Sequence, residues 1–514
     1  MSKAFYITTP IYYVNGDPHI GHAYTTIACD VLARFKRLDG YAVKFLTGTD
    51  EHGQKVAKSA ADEGTTPQEV ADRNSAKFRE LAKALGTTND DFIRTTEERH
   101  KKACQALWQK LEANGHIYLD KYAGWYAVRD EAFYDEGELT KGPNGERLAP
   151  TGAPVEWVEE ESYFFDLSKW RDKLLALYDK NPNFIGPKSR FNEVYSFVKG
   201  ELRDLSVSRT TFSWGVPVPG NPKHVMYVWI DALTNYITAL GYPDINGAEF
   251  KTFWPEALHV VGKEIIRFHC VYWPAFLMAA DLPVPKKVYA HGWWTNEGQK
   301  MSKSLGNVVD PIALIEKYGL DQTRYFLLRE VPFGNDGDFS EASMANRINS
   351  ELANEFGNLA QRFLSFIGKN LGGVLPAPGA FTAEDNEILA ACDKLLDQCR
   401  EAIDAQAFHE MIEAVWGVVR AGNVYVDKQA PWTLRKTDPA RMNTVLYVLA
   451  EVTRHVALLM QPFVPTAAAK VLDQLAVPAD KRDFASIATK LKGGATLPTP
   501  TGVFPRYGEP KVAK

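Results

Sequence analysis

The chain has 514 residues, of which 45% are hydrophobic and 24% are charged, and this composition excludes a disordered or collagen-like protein. Lysine and arginine number 59 against 64 aspartates and glutamates, so the net charge is −5 and any nucleic-acid surface has to be a local basic patch. The longest unbroken apolar stretch, residues 270–280, is far shorter than the roughly 18 residues of a membrane span, so we expect a buried core helix there and no membrane domain.

The cysteine spacing fits a reducing compartment, and the N-terminal residues bear on targeting. The closest two of the five cysteines, Cys392 and Cys399, are seven residues apart, which excludes CxxC zinc knuckles and CxxC redox motifs. The first residues show neither the apolar core of a signal peptide nor the arginine-rich pattern of a transit peptide. We therefore expect a cytoplasmic protein.

The first 47 residues predict a strand, a helix and a second strand. Residues 5–8 and 42–47 are rich in strand-forming side chains, and Gly40 ends the helix between them. Helical spacing of apolar residues is seen at Ile27, Val31, Phe35 and Leu38. A right-handed crossover makes such strands parallel, so the chain begins as an α/β fold.

The pattern of residue types then changes twice along the chain. Residues 116–224 contain short aromatic runs, turn signals and an acidic patch, which indicate an inserted domain. Strand and helix patterns resume at residues 225–229, and a buried strand at residues 259–262 is followed by a predicted helix over 263–280. After about residue 340 the pattern is almost wholly helical.

Two shorter elements lie between these regions. Residues 293–300 turn at Asn296-Glu297-Gly298 and predict a hairpin. Asp310 followed by Pro311 predicts a helix N-cap, and Gly319 ends that helix.

The loop after the first strand holds His19-Ile20-Gly21-His22, directly before a predicted helix. Exposed N–H groups and two imidazoles at a helix N-terminus suit phosphate, and Gly21 allows close approach of a ligand. A surface loop with two unrelated histidines, or half a metal site, fits the same residues. No GxGxxG is present, and both Gly-Lys pairs lack the first glycine of a P-loop, so neither a Rossmann dinucleotide site nor a P-loop NTPase is supported.

A second motif, Lys300-Met301-Ser302-Lys303-Ser304, follows the predicted hairpin. Two lysines beside small hydroxyls suit a polyphosphate, although a solvated basic loop is the common alternative. In this order and separated by a parallel α/β core, the two motifs resemble the paired signatures of class I aminoacyl-tRNA synthetases.

Further blocks narrow the resemblance to the methionyl-tRNA synthetase family. They are residues 9–16 (TPIYYVNG), 47–53 (TGTDEHG), 228–233 (VWIDAL) and 261–269 (VGKEIIRFH). The resemblance runs from residue 4 to the end. It implies an α/β, Rossmann-like catalytic domain in residues 1–115 and 225–295, a connective-peptide insertion in 116–224, a stem-contact region in 296–349 and an α-helical anticodon-binding bundle in 350–514.

The resemblance also implies an activity: methionine and ATP form methionyl-adenylate and pyrophosphate, and methionine then passes to the terminal ribose of tRNA(Met), for initiation and elongation. The implied methionine pocket is Ile11, Tyr13, Asp50, Trp229, Ala232, Tyr236, Ile265 and His269, with Asp50 on the ammonium and Tyr13 and His269 as donors to the sulfur. The implied catalytic and ATP-binding residues, acting with Mg²⁺, are His19, Gly21, His22, His291, Lys300 and Lys303. Taken singly, each fits a core or turn residue equally well.

The inserted domain departs from the common family pattern. Many relatives carry CxxC knuckles there, whereas this chain has Trp125-Tyr126-Ala127-Val128-Arg129-Asp130. We therefore expect no metal site and no structural zinc. With 109 residues, the insertion is also too small for the editing domain of the branched-chain relatives.

In the C-terminal bundle, residues 356–362 and 425–432 resemble the anticodon-reading elements of the family. Asn358, Arg362 and Trp432 are the residues implied to read the CAU anticodon, by hydrogen bonding and stacking. We expect no appended tRNA-binding barrel, which in some relatives often carries the dimer contact, and we therefore expect a monomer. Two alternatives remain at this point: a catalytically inert synthetase-like tRNA-binding protein, and another class I ligase.

Overall fold

The computed structural model describes residues 3–130, 132–302 and 305–508. The strands are β1 (Ala4–Thr8), β2 (Tyr12–Tyr13), β3 (Ala42–Asp50), β4 (Asp91–Arg94), β5 (Ile117–Ala127), β6 (Ala132–Tyr134), β7 (Thr140–Lys141), β8 (Arg147–Leu148), β9 (Glu156–Phe165), β10 (Ile185–Gly186), β11 (Leu205–Ser206), β12 (Ser208–Arg209), β13 (Pro217–Val218), β14 (Asn221–Met226), β15 (Ala257–Gly262), β16 (Lys287–His291), β17 (Trp294–Asn296), β18 (Gln299–Lys300) and β19 (Gly337–Phe339).

The helices of the first half are α1 (Ile20–Leu38), α2 (Gln54–Glu63), α3 (Pro67–Ala84), α4 (Glu98–Ala113), α5 (Arg171–Lys180), α6 (Lys188–Lys199), α7 (Val228–Thr238), α8 (Ala248–Phe253) and α9 (Trp273–Ala279). Those of the second half are α10 (Pro311–Tyr318), α11 (Leu320–Arg329), α12 (Glu341–Arg347), α13 (Asn358–Asn370), α14 (Ala383–Asp404), α15 (Phe408–Gln429), α16 (Pro431–Thr437), α17 (Pro439–Met460) and α18 (Pro465–Gln474). Across the described residues, no helix is both long and apolar enough to span a membrane.

The described chain divides into two compact units that do not follow chain order. One contains Ala4–Pro18 and Val43–His291. The other contains His19–Ala42, which is α1 with its flanks, and the chain from Gly292 onwards. Helix α1 therefore belongs with the C-terminal half, although it lies between β1 and β3 in sequence.

The first unit, which we call the sheet unit, is built on a parallel sheet. In the described chain this sheet has seven strands, in the order β10-β16-β15-β1-β3-β2, with β4 also paired to β3. Strand β15 is buried along its whole length and pairs in parallel with β1 and β16, as expected for a strand covered on both faces. The α/β, Rossmann-like prediction is confirmed.

The predicted insertion contains a sheet of its own. Among the described residues it has the order β11-β9-β5-β6, and β5 and β9 form a long antiparallel ladder from Ile117↔Phe165 to Tyr126↔Glu156. Aromatic rings pack along this ladder, with Trp125 and Trp157 in edge contact at 5.2 Å.

The strand and helix patterns expected to resume at residues 225–229 are found: β14 ends at Met226 and α7 begins at Val228, so Trp229 lies on a helix. One predicted element was wrong. The single helix expected over 263–280 is instead a 3₁₀ turn (Lys263–Ile265), a π turn (Phe268–Tyr272) and α9. Pro274 explains this break because proline has no N–H to donate to the carbonyl of Cys270. That carbonyl accepts the Tyr178 hydroxyl instead, at 2.6 Å.

The second unit, which we call the helical unit, joins α1 to the C-terminal helices. Arg324 of α11 donates to Asp30 of α1 at 2.7 Å, with both side chains fully buried. Lys36 pairs with Asp404 and Asp39 with Arg400, each at 2.6 Å. Ion pairs along α1 therefore fasten it to α11 and α14. The predicted helical C-terminal region is confirmed.

Candidate active site

His19 and His22 lie at the N-terminus of α1, with ring centroids 3.8 Å apart. His19 is the N-cap, and its Nδ1 accepts from the N–H of Gly21 at 3.1 Å. The N–H of His19 in turn donates to Nδ1 of His22, also at 3.1 Å. Burial, and then the nearby His19, hold the pKa of His22 well below its ordinary value. In each neutral ring the proton therefore lies on Nε2, a donor suited to a phosphate oxygen.

Gly21 is required by this turn for a reason that the sequence did not show. A Cβ atom at this position would lie 3.0 Å from Cε1 and 3.1 Å from Nδ1 of His19. The absent side chain thus lets the His19 ring fold back and cap the helix.

The Lys300 loop follows the predicted hairpin, which is confirmed. Strands β17 and β18 pair through a turn in which Glu297 and Gly298 have positive φ, and Lys300 is exposed at the end of β18. Asn307 holds the loop: its Oδ1 accepts from the Ser302 N–H at 2.8 Å, and its Nδ2 donates to the Lys300 carbonyl at 3.2 Å. Lys303 lies outside the described residues.

The helical unit therefore contains His19, Gly21, His22 and Lys300. His291, the last residue of β16, belongs to the sheet unit and is buried opposite Gly262 in the strand register.

The predicted methionine pocket lies wholly in the sheet unit. Trp229, Ala232 and Tyr236 are on α7, and His269 is in the π turn. Trp229 makes an edge contact with His269, at 6.1 Å between ring centroids, and Tyr236 donates its hydroxyl to His269 at 2.6 Å. Ile11 and Ile265 pack on the same apolar core.

The second part of the predicted pocket lies at the end of β3. Asp50 is the last residue of β3 and lies opposite Tyr13 of β2 in the parallel register. Open α/β sheets bind ligands at the carboxyl ends of their strands, which is where this carboxylate lies.

In the described structure, His269 has partners other than the methionine sulfur, to which it was expected to donate. Its Nδ1–H donates to the carbonyl of Ile265 at 3.0 Å, and its Nε2 accepts the Tyr236 hydroxyl. Burial lowers the pKa of His269 to about 4, so the ring is neutral and has no second N–H to offer. The imidazole instead orients the Tyr236 hydroxyl.

Several residues near the pocket were missed because nothing in the sequence shows burial or pairing. Phe268 stacks on Trp229 at 3.7 Å with an interplanar angle of 7°. Asp231 of α7 accepts hydrogen bonds from His52 and His100. Arg209 is buried beside the ring of Tyr227, and no carboxylate among the described residues pairs with it.

The anticodon residues predicted from sequence lie on adjoining helices of the helical unit. Asn358 is the exposed first residue of α13, and Arg362 lies one turn later. The Arg362 guanidinium lies 5.3 Å from the centre of the Trp432 ring and is paired with Asp427 at 2.5 Å. Trp432 is 45% exposed, so its ring is open to a stacking partner.

Comparisons with known proteins agree with this geometry. The family model described as "tRNA synthetases class I (M)" matches residues 5–364, and "Anticodon binding domain of methionyl tRNA ligase" matches 375–513. The chain is 60% identical to the methionine–tRNA ligase of Brucella suis over 508 residues, with coverage of 99% and 98% of the two chains, and 59% identical to that of Rhizobium meliloti over 514 residues, with coverage of 99% of each.

Solved structures give the same result. The methionyl-tRNA synthetase of Mycobacterium tuberculosis bound by methionyl-adenylate superimposes with a TM-score of 0.96 at 54% identity, covering 98% of this chain and 100% of that one. Its free state gives a TM-score of 0.90 at 51% identity, with 99% coverage of each chain. The alternative of another class I ligase is therefore excluded, and the predicted family is confirmed: the chain belongs to the methionyl-tRNA synthetase family of class I tRNA synthetases.

Proposed function

We propose that the chain is an active methionine–tRNA ligase rather than an inert relative. It joins methionine to ATP, releasing pyrophosphate, and then transfers methionine from the adenylate to the terminal ribose of tRNA(Met), for initiation and elongation. ATP enters as its Mg²⁺ complex. The observation that carries the proposal is the arrangement of His19 and His22, whose Nδ1 atoms are both acceptors, so that Nε2–H donors are presented at the N-terminus of α1.

The reaction needs positioning and charge stabilisation more than covalent chemistry. The methionine carboxylate attacks the α-phosphate, and negative charge develops on phosphate oxygens. We assign His19, His22, Lys300 and Lys303 to these oxygens as hydrogen-bond donors and cations. Gly21 shapes the turn, and His291 is assigned to the nucleotide.

Methionine is recognised by shape and by few polar groups. Trp229, Ala232, Ile11 and Ile265 form apolar walls around an unbranched thioether, which is polarisable and favours aromatic contact. The Tyr13 hydroxyl is the group assigned to the sulfur, the hydrogen-bonded pair of Tyr236 and His269 is assigned to the wall of the pocket, and Asp50 is assigned to the ammonium.

The anticodon is assigned to Asn358, Arg362 and Trp432. Base-edge hydrogen bonds from the amide and guanidinium, together with stacking on the indole, are the usual means of reading unstacked RNA bases. The existing contact between Arg362 and Trp432 supports this assignment because it holds the ring ready to stack.

The domain division predicted from sequence is proposed unchanged, with a catalytic domain in 1–115 and 225–295, an insertion in 116–224, a stem-contact region in 296–349 and an anticodon-binding domain in 350–514. We also propose a cytoplasmic monomer. Light scattering that gives twice 57.5 kDa would refute the monomer.

The insertion is proposed to need no zinc. Its tip is supported by an apolar cluster of Ala127, Ala149 and Ala153 and by hydrogen bonds from Tyr134 and Thr151 to Asp130. Metal analysis of the purified protein tests this, and stoichiometric zinc in the insertion would contradict it.

The activity is tested by ATP–pyrophosphate exchange with each of the twenty amino acids. Methionine should support exchange well above leucine or cysteine, and equal exchange with all three would contradict the assignment. Lys303→Ala should reduce exchange strongly, whereas Lys317→Ala, a surface lysine paired with Glu341, should leave it intact.

The modular roles are tested with Trp432→Ala. One base stack is worth about 1 to 3 kcal/mol, so tRNA charging should fall roughly 5- to 150-fold while exchange stays near wild type. Phe381→Ala removes a similarly exposed aromatic side chain from the same half of the chain and serves as the control. Equal losses in both assays for Trp432→Ala would refute the separation of roles.

A further inference from the structure

A buried cluster of ionisable side chains lies beside the methionine pocket and has no part in the chemistry above. Oδ2 of Asp231 accepts from Nδ1 of His52 at 2.7 Å, and Oδ1 accepts from Nε2 of His100 at 2.7 Å. All three residues are almost completely excluded from solvent. They come from three elements of the sheet unit: the loop after β3, helix α4 and helix α7.

We propose that His52, Asp231 and His100, the Asp231 node, are positioning residues that hold α7 at the end of β3 and thereby set the geometry of the methionine pocket. The inference rests on the proposed assignment of that pocket.

The node connects the two parts of the pocket. His52 lies two residues after Asp50, which is assigned to the ammonium. Asp231 lies on α7 between Trp229 and Tyr236, and Ala232 follows it directly. A displacement of about 1 Å between reacting groups can cost on the order of a hundredfold in rate, so a bond that fixes these two elements bears directly on methionine binding.

The anchor on the β3 side is itself rigid. Glu51, between Asp50 and His52, is fully buried and accepts from Arg94 Nε and from the Thr49 hydroxyl, each at 2.7 Å. Its N–H donates to the Thr95 hydroxyl at 2.9 Å. The residue before His52 is therefore held through both its side chain and its N–H, and the hydrogen bond from His52 to Asp231 transmits that position to α7.

The hydrogen bonds around Asp231 indicate an ionised carboxylate. His100 is held at both ring nitrogens, with Nε2 on Asp231 at 2.7 Å and Nδ1 3.3 Å from the Thr238 hydroxyl. Burial alone would raise the pKa of Asp231, but attraction to His52 and the hydrogen bonds from both imidazoles outweigh it and hold the pKa well below its ordinary range.

A metal ion is the alternative occupant. Within the described residues, donor atoms of His100, Cys104 and Asp231 lie within 4.8 Å of one another. However, the His100–Asp231 and His100–Cys104 distances, 2.7 and 3.2 Å, are hydrogen-bond distances, and ligands around tetrahedral zinc are about 3.3 Å or more apart. Burial also raises the pKa of the Cys104 thiol well above its ordinary value, which disfavours the thiolate that a metal requires.

The test uses the fact that the two histidines donate from different ring atoms. Asparagine places its amide near Nδ1 of histidine, and glutamine places its amide near Nε2. His52→Asn and His100→Gln should therefore keep the KM for methionine in pyrophosphate exchange within about threefold of wild type. His52→Gln and His100→Asn should raise it about tenfold, the equivalent of about 1.4 kcal/mol. The KM for ATP should change little in all four.

A general packing role would not favour asparagine at position 52 and glutamine at position 100. If asparagine and glutamine behave alike at both positions, or if both KM values rise together, the node is refuted. Two positions are tested so that a variant that fails to fold at one leaves the other decisive. Stoichiometric zinc in the wild type that is lost in both His100 variants would overturn the hydrogen-bonded node in favour of a metal site.

A variant in the pocket distinguishes failure of the Asp231 node from failure of the pocket assignment on which it rests. Trp229→Ala should raise the KM for methionine if the pocket is correctly assigned. No change in Trp229→Ala means that the pocket assignment has failed. A raised KM in Trp229→Ala, with no asparagine–glutamine difference at His52 and His100, means that only the node has failed.

Discussion

The hydrogen bond between Tyr236 and His269 allows a quantitative prediction for Tyr236→Phe. In the wild type the hydroxyl satisfies Nε2 of His269, while Nδ1 is held by the Ile265 carbonyl. Without the hydroxyl, water can reach Nε2 while the pocket is empty, but bound methionine expels that water. The cost of an unsatisfied buried acceptor, about 1 to 3 kcal/mol, should therefore appear in methionine binding.

The assay is pyrophosphate exchange, first with methionine varied at saturating ATP and then with ATP varied at saturating methionine. We expect kcat/KM for methionine to fall roughly 5- to 150-fold and the KM for ATP to stay near wild type. Tyr425→Phe is the matched control because its buried hydroxyl donates to Asp385 at 2.5 Å in the helical unit. A KM for methionine in Tyr236→Phe within twofold of wild type would refute the role given to this pair.

Three further predictions follow from single contacts. Burial lowers the pKa of His269 to about 4, so between about pH 6.5 and 4 the folded protein binds fewer protons than the unfolded chain, and its stability should fall as the pH drops through this window. Urea unfolding at pH 7 and at pH 5 measures this loss of stability. The loss should be about 2 kcal/mol smaller in His269→Gln than in the wild type. Arg324→Met should lower the unfolding free energy by about 3 kcal/mol because it leaves buried Asp30 short of its main cation, whereas Arg34→Met, on the more exposed side of Asp30, should cost about 1 kcal/mol or less; equal losses would contradict this. Asn307→Ala should lower kcat for exchange about 10- to 100-fold without changing the KM for methionine, and an unchanged kcat would show that Asn307 does not position the loop.

Local signals in the sequence predicted those parts of the structure that depend on local chemistry. The N-cap of α10 at Asp310, the proline that follows it and the turn at Asn296–Gly298 all form as expected. Each of these features depends on residues within a few positions of one another, so the local sequence is enough to predict it. The histidine and lysine motifs were also visible, since their residue types and order are distinctive.

Features that depend on distant residues could not be predicted in this way. The π turn around His269 needs both Pro274 and the hydroxyl of Tyr178, which is 92 residues away from Cys270. The tautomer of His269 depends on Tyr236 from another helix, so the sequence suggested a donor to sulfur where the structure has an acceptor for a hydroxyl. Burial and pairing of this kind appear only when the elements pack.

The membership of α1 in the helical unit has a practical consequence for dividing the protein. A fragment ending near residue 295 would retain α1 but remove α11 and α14, leaving Asp30, Lys36 and Asp39 without Arg324, Asp404 and Arg400. The Asp30 carboxylate would then lie on a helix face that α11 and α14 cover in the whole chain. A minimal activating enzyme therefore has to be designed by resurfacing α1, or by grafting its covering helices, and a cut in the chain alone does not produce it.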